Sequence, residues 1–214
     1  MIDVLTDGPL DARWHLLLAH GAGAGMATPF MTTVSRLIAA DGIAVHRFEL
    51  AYMAARRETG KRRPPPKAET LTAEYLAAVT TLRALLPSGA RLLIGGKSMG
   101  GRIASLLADT LHAEGAIAGL VVLGYPFHPP AKPEALRTAH LATLACPALI
   151  VQGERDPFGS RAEVEGYALS PSITLHWAGD GDHDLGPRGG SGFTRKGNLV
   201  AAAAAVHAFA AGLA

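Results

Sequence analysis

Residues 91–114 read RLLIGGKSMGGRIASLLADTLHAE, and the fold turns on how this stretch is read. An apolar run of strand length, Arg91 to Ile94, enters a pair of glycines, and a segment of helical period, Gly100 to Glu114, leaves another pair. Between them stands G-x-S-x-G: Gly96, Lys97, Ser98, Met99 and Gly100. A serine at such a strand-to-helix turn sits in a strained backbone conformation with its hydroxyl presented at the edge of a sheet. Side chains two positions away would crowd it, which gives glycine at 96 and 100 a steric reason, with Gly95 and Gly101 widening the clearance. Ser98 is therefore the candidate nucleophile.

Working outward, short apolar runs alternate with helical-period segments, the pattern of a mostly parallel sheet covered on both faces. Strands are expected at Trp14 to Ala19, Ile43 to Phe48, Arg91 to Ile94, Ala118 to Leu123, Ala148 to Gln152 and Ile173 to Trp177. Helices are expected at Thr28 to Ala40, Leu71 to Leu86, Gly100 to Glu114, Ala135 to Leu144, Arg161 to Leu169 and Gly197 to Ala211. The fold class is α/β, with about six strands, in one domain over residues 1–214. Two stretches break the rhythm. Arg56 to Lys67, RRETGKRRPPPK, has six basic residues and a triple proline and reads as a solvated, partly extended loop. Gly186 to Gly197, GPRGGSGFTRKG, reads as a flexible glycine-rich connection.

A serine hydroxyl needs a base within hydrogen-bond reach, and the base needs an acid to orient it. After ALIVQG come Glu154, Arg155, Asp156 and Pro157, which places Asp156 in a loop at the C-terminal end of a strand, with Glu154 as rival acid. After ITLHW comes GDGDHDL, with His183 in the corresponding loop; the one later histidine, His207, falls within the terminal helix. The chain order Ser98, Asp156, His183 is that of a sheet-top triad. An oxyanion would be met by the backbone N–H of Met99, at a helix start, and by that of Ala22 in LLLAHGAGAGM, with Gly23 close behind. Tyr125, Phe127 and His128 follow a strand end and are candidates either to line the substrate pocket or to pack their loop onto the core, and Arg137 and His140 are further candidates to face the pocket.

Composition narrows the rest. A net charge of +2 gives no general reason to expect nucleic acid or an anionic membrane as partner, and a lone cysteine, Cys146, forms no internal disulfide. The N-terminus has no signal-peptide pattern, and Leu199 to Ala214 is Ala-rich and too short to span a bilayer, so the expected location is cytoplasmic. GAGAG fails the dinucleotide pattern, since its third glycine would fall on Met26 or Thr28; GKS fails the P-loop pattern, because Arg91 stands where glycine is needed. No cofactor and no metal constellation is expected.

Together, HGAGAG, GGKSMGGR, GYPFHPP, GERDPFG and GDHDL resemble the α/β-hydrolase superfamily on its dienelactone-hydrolase-like side. They are most similar to the small group of hydrolases that includes a subunit of the animal non-specific-lethal chromatin complex. The resemblance implies Ser98, Asp156 and His183 as triad, Ala22 and Met99 as oxyanion donors, and a small-molecule ester or thioester as substrate. A dienelactone hydrolase has cysteine where Ser98 stands, so acyl transfer is implied and the dienelactone is not. Tyr125 to Pro147 is too short for a helical cap and implies an open site. The chromatin-complex relative suggests an alternative, an interaction protein that binds an acidic partner through the basic 56–67 segment.

Overall fold

A computed structural model describes residues 3–61 and 64–213. Seven strands form one sheet: β1 (Val4–Asp7), β2 (Trp14–Ala19), β3 (Ile43–Phe48), β4 (Arg91–Lys97), β5 (Gly119–Leu123), β6 (Ala148–Gly153) and β7 (Ile173–Ala178). Their order is β1-β3-β2-β4-β5-β6-β7, parallel throughout except for β1, which pairs antiparallel with β3. Alternation along β2 shows why the sheet is covered twice. Leu16 and Leu18 pack on one face with Met31, Val34 and Ile38 of α1 (Pro29–Ala39) and with Leu199 and Val206 of the terminal helix; Leu17 and Ala19 pack on the other with Tyr75 and Ile103. Strands buried on both faces read as unbroken apolar runs, as GLVVL and ALIVQG do.

The remaining helices are α2 (Ala51–Thr59), α3 (Thr72–Arg83), α4 (Met99–Ala113), a single turn α5 (Arg161–Val164) and α6 (Arg195–Gly212). Four features differ from expectation, the first being α5, which ends at Val164 rather than Leu169, with Gly166 N bonding back to Glu163 O in a turn. The edge strand β1 is short and largely exposed, so it carries no apolar run; Arg47 of β3, buried in a strand, ties it down by bonding Asp7 at 2.7 Å. Helix α2 takes Arg56 and Arg57 out of the basic loop: its end is set by Gly60, in the left-handed region at φ 69°, and the proline argument applies only beyond it. Arg62 and Arg63 lie outside the described residues. No helix forms over residues 135–144. The backbone there is satisfied from outside instead: Tyr125 Oη donates to Arg137 O, Arg137 N donates to Phe127 O, and Asp109 accepts from Ala145 N and Cys146 N. The segment between β5 and β6 thus builds no cap over the sheet.

Candidate active site

Ser98 is the junction of β4 and α4, at φ 51° and ψ −116°, a conformation that costs a non-glycine residue energy and is held by its surroundings. Its N–H donates to Leu123 O of the neighbouring strand, and Arg102 N donates to its carbonyl. The flanking glycines are required by approach rather than by their own torsions. A Cβ on Gly96 would lie 2.6 Å from Ala19 O, and one on Gly100 would lie 2.5 Å from His20 O. Gly95 and Gly101 serve a different contact from the one expected: each abuts β5, at Val121 O and the Val122 side chain respectively.

The loops after β6 and β7 meet beside this turn. Asp156 is fully buried and accepts three hydrogen bonds: His183 Nδ1 at 2.7 Å and Gln152 Nε2 at 3.0 Å on Oδ2, and Phe158 N at 2.8 Å on Oδ1. In the tautomer whose Nδ1–H donates to Asp156, Nε2 is left as the acceptor. The Phe158 ring stacks against the imidazole, centroids 4.4 Å apart. The rival acid is engaged elsewhere: Glu154 bonds Arg161 Nη1 at 3.0 Å and Asp180 N at 2.8 Å, and these bonds hold its carboxyl below the usual range. His183 sits between Asp180 and Leu185, both at positive φ, so its loop is tightly bent. Arg188 clamps the first of these: hydrogen bonds from its guanidinium and its N–H hold the Asp180 carboxyl at about 2.

On the other side lies the segment after β2. Its course is set by His20, which is buried and kept neutral because burial lowers its pKa; Nδ1 donates to Gly21 O at 2.7 Å while Nε2 accepts from Leu50 N at 3.1 Å. Helix α2 holds the following carbonyls. Tyr52 Oη donates to Ala22 O at 3.2 Å and Arg56 Nη1 to Gly23 O at 2.8 Å. A Cβ on Gly21 would touch the Ser98 Cβ at 3.7 Å, so this loop lies directly against the serine turn.

Gly21, Ala22, Gly23, Ser98, Phe158 and His183 share one cavity of about 440 Å³, whose wall is completed by Phe30, Met31, Lys97, Asp184 and Arg195 among others. Met99 stands at the first position of α4, where backbone N–H groups lack intrahelical partners. Five candidate lining residues, Tyr125, Phe127, His128, Arg137 and His140, are not there. Tyr125 and Phe127 are fully buried with their rings packed together at a 60° tilt, centroids 4.8 Å apart, and Gln152 bonds both backbone groups of Tyr125 and draws the segment into the core. His128 is buried as well, Arg137 bonds back to the 126–127 backbone, and His140 is turned toward Ser105 at 2.8 Å. Of the residues that sequence reasoning missed, Phe30 and Arg195 lack a motif of their own, whereas Lys97 and Phe158 stood inside GGKSMGGR and GERDPFG with no role assigned.

Among the described residues no group of three His, Cys, Asp or Glu side chains is arranged to hold a metal, and no helix is long and apolar enough to cross a membrane. The architecture is similar to that of the dienelactone hydrolase from Anabaena variabilis, at 20% identity and a TM-score of 0.69 over 97% of this chain and 90% of that one. Est1E from Butyrivibrio proteoclasticus is similar at 13% identity and TM-score 0.69, over 98% of this chain and 95% of its own. So is XC6422 from Xanthomonas campestris, described as an a/b serine hydrolase without lid, at 19% identity and TM-score 0.62, over 86% and 81%. At these identities the likeness is one of fold. The model of the alpha/beta hydrolase domain matches residues 12–211, nearly the whole chain, and the chain belongs to that family.

Proposed function

We propose that this protein is a serine hydrolase that cleaves a carboxylic ester or thioester through an acyl-enzyme. The observation that carries the reading is the 2.7 Å bond from His183 Nδ1 to a fully buried Asp156, opening on the same cavity as a serine held at positive φ. In this reading Ser98 Oγ attacks the acyl carbon and its proton passes to His183 Nε2. The oxyanion is met by the N–H groups of Ala22 and Met99, with Gly23 at the rim. Collapse expels the alcohol or thiol, which takes the proton from His183; water then attacks the acyl-enzyme by the same route and frees the acid. Asp156 orients the imidazole and balances its charge while it is protonated.

The open mouth and the aromatic residues Phe30 and Phe158 suit a small or exposed ester. The Anabaena protein is named a dienelactone hydrolase and XC6422 is described as a serine hydrolase, which agrees with this class without specifying the substrate. The alternative, an interaction protein working through basic residues 56–67, is weakened by the engagement of Arg56 with Gly23 and of Arg57 with Asp3 and Glu49. A panel of short-chain aryl esters and thioesters tests the proposal. Wild-type protein is expected to turn over at least one of them with a burst of the first product, and Ser98→Ala to abolish turnover while leaving the thermal midpoint nearly unchanged. Undiminished turnover by Ser98→Ala contradicts the reading.

A further inference from the structure

Lys97 is the residue before the serine, and its side chain is only 7% exposed although it ends in an amine. Lysine is seldom buried, since a methionine of similar volume fills the same space without desolvating a charge. Here Nζ donates to the backbone carbonyl of His183 at 2.7 Å, approaches Asp184 Oδ1 at 3.3 Å, and lies 5.4 Å from the centre of the Phe30 ring. The contact spans the top of the sheet, from the end of β4 to the loop after β7, across the ends of β5 and β6. Gly124, at the end of β5, leaves room for it: a Cβ there would sit 3.2 Å from Lys97 Nζ and 3.3 Å from His183 Cε1.

We propose that Lys97 is a positioning residue that fixes the backbone of His183, and with it the direction of the imidazole toward Ser98. The inference rests on the hydrolase reading above and names a residue which that reading does not use. A single bond from Nδ1 to Asp156 leaves the ring free to swing about the N–H···O line. Stacking on Phe158 restricts that swing on one side, and the tie from Lys97 to the carbonyl restricts the backbone from which the ring hangs. Because Lys97 and Ser98 are adjacent, the same peptide that carries the serine holds the histidine. Burial lowers the pKa of the amine, while Asp184 and Asp156 oppose that shift; charged or neutral, it keeps an N–H for the carbonyl.

The test compares wild type with Lys97→Met, and with Lys97→Cys in a Cys146→Ala background before and after aminoethylation, which rebuilds the donor on a side chain of lysine length. Lys97→Met is expected to lower kcat about 10- to 100-fold, the scale of a small misplacement at a reacting centre, with KM within about twofold. Hydrogen exchange of the backbone at residues 182–186 is expected to quicken in the same variant, and aminoethylation to restore both readouts. A folded Lys97→Met protein with wild-type kcat and wild-type exchange overturns the proposal. So does a rise in KM at constant kcat, which would make Lys97 a substrate contact, or a loss that aminoethylation fails to repair. If wild type hydrolyses no ester yet Lys97→Met loosens residues 182–186 and aminoethylation restores them, the hydrolase reading fails and the positioning role stands.

Discussion

Asp156 and Glu154 stand two residues apart at the end of one strand, and their surroundings separate them. Asp156 is fully buried and aimed at His183, whereas Glu154 is half-buried and occupied by Arg161 and the Asp180 N–H. Asp156→Asn is therefore expected to cut turnover by about 10⁴-fold, as removal of a triad carboxylate does, and Glu154→Gln to leave kcat within about threefold. Steady-state kinetics on both variants decides it, and the reverse ranking moves the role to Glu154. Gln152 adds a second test at this scale. Its amide serves Tyr125 N and O, Gly159 O and Asp156, so Gln152→Leu strands a buried N–H and removes a donor from the carboxylate. A stability loss of about 1–3 kcal/mol in urea unfolding is expected, together with slower turnover.

Helix α2 is the element whose part in the site could not be read from its residues. AYMAARRET is polar and buries only Met53, so it offers no apolar stripe, and the adjacent run of basic residues and prolines suggested loop. In the folded chain it steadies the carbonyls of Ala22 and Gly23 through Tyr52 and Arg56. Tyr52→Phe combined with Arg56→Ala is expected to lower kcat about three- to tenfold, the worth of one hydrogen bond, with a small change in thermal midpoint; unchanged kcat would show that α2 does not steady the loop. The legible elements were those whose signal is local. Strands β2 and β3 are apolar runs between turn residues, and the serine turn carries its own glycines. That the loops of Asp156 and His183 would meet on the edge of the sheet beside Ser98 was legible because each follows such a strand. The pocket wall was not, because Phe30, Phe158 and Arg195 come from three separated segments, and the inward pull of Gln152 on Tyr125 is a long-range bond that no spacing announces.

At the scale of the molecule, burial gives the fold a characteristic response to acid. His46 is lowered to about 4 by desolvation, with the neighbouring His15 adding to the effect, and burial lowers His15, His20, His140 and His176 too. Groups with depressed folded pKa bind fewer protons than the unfolded chain does, so stability present above about 6.5 is lost as pH falls toward about 4. The thermal midpoint is expected to drop steadily across that window and to drop less in His46→Leu; a midpoint that is flat or rises on acidification contradicts the burial argument. The proposed triad is likewise a property of the whole chain, since Ser98, Asp156 and His183 come from three segments joined only by the sheet. Its most direct test is reaction of the folded protein with a fluorophosphonate, followed by peptide mapping. The account predicts one adduct per chain, on Ser98, formed by native protein and lost on unfolding or in Ser98→Ala. An adduct on another serine, or none on native protein, would contradict it.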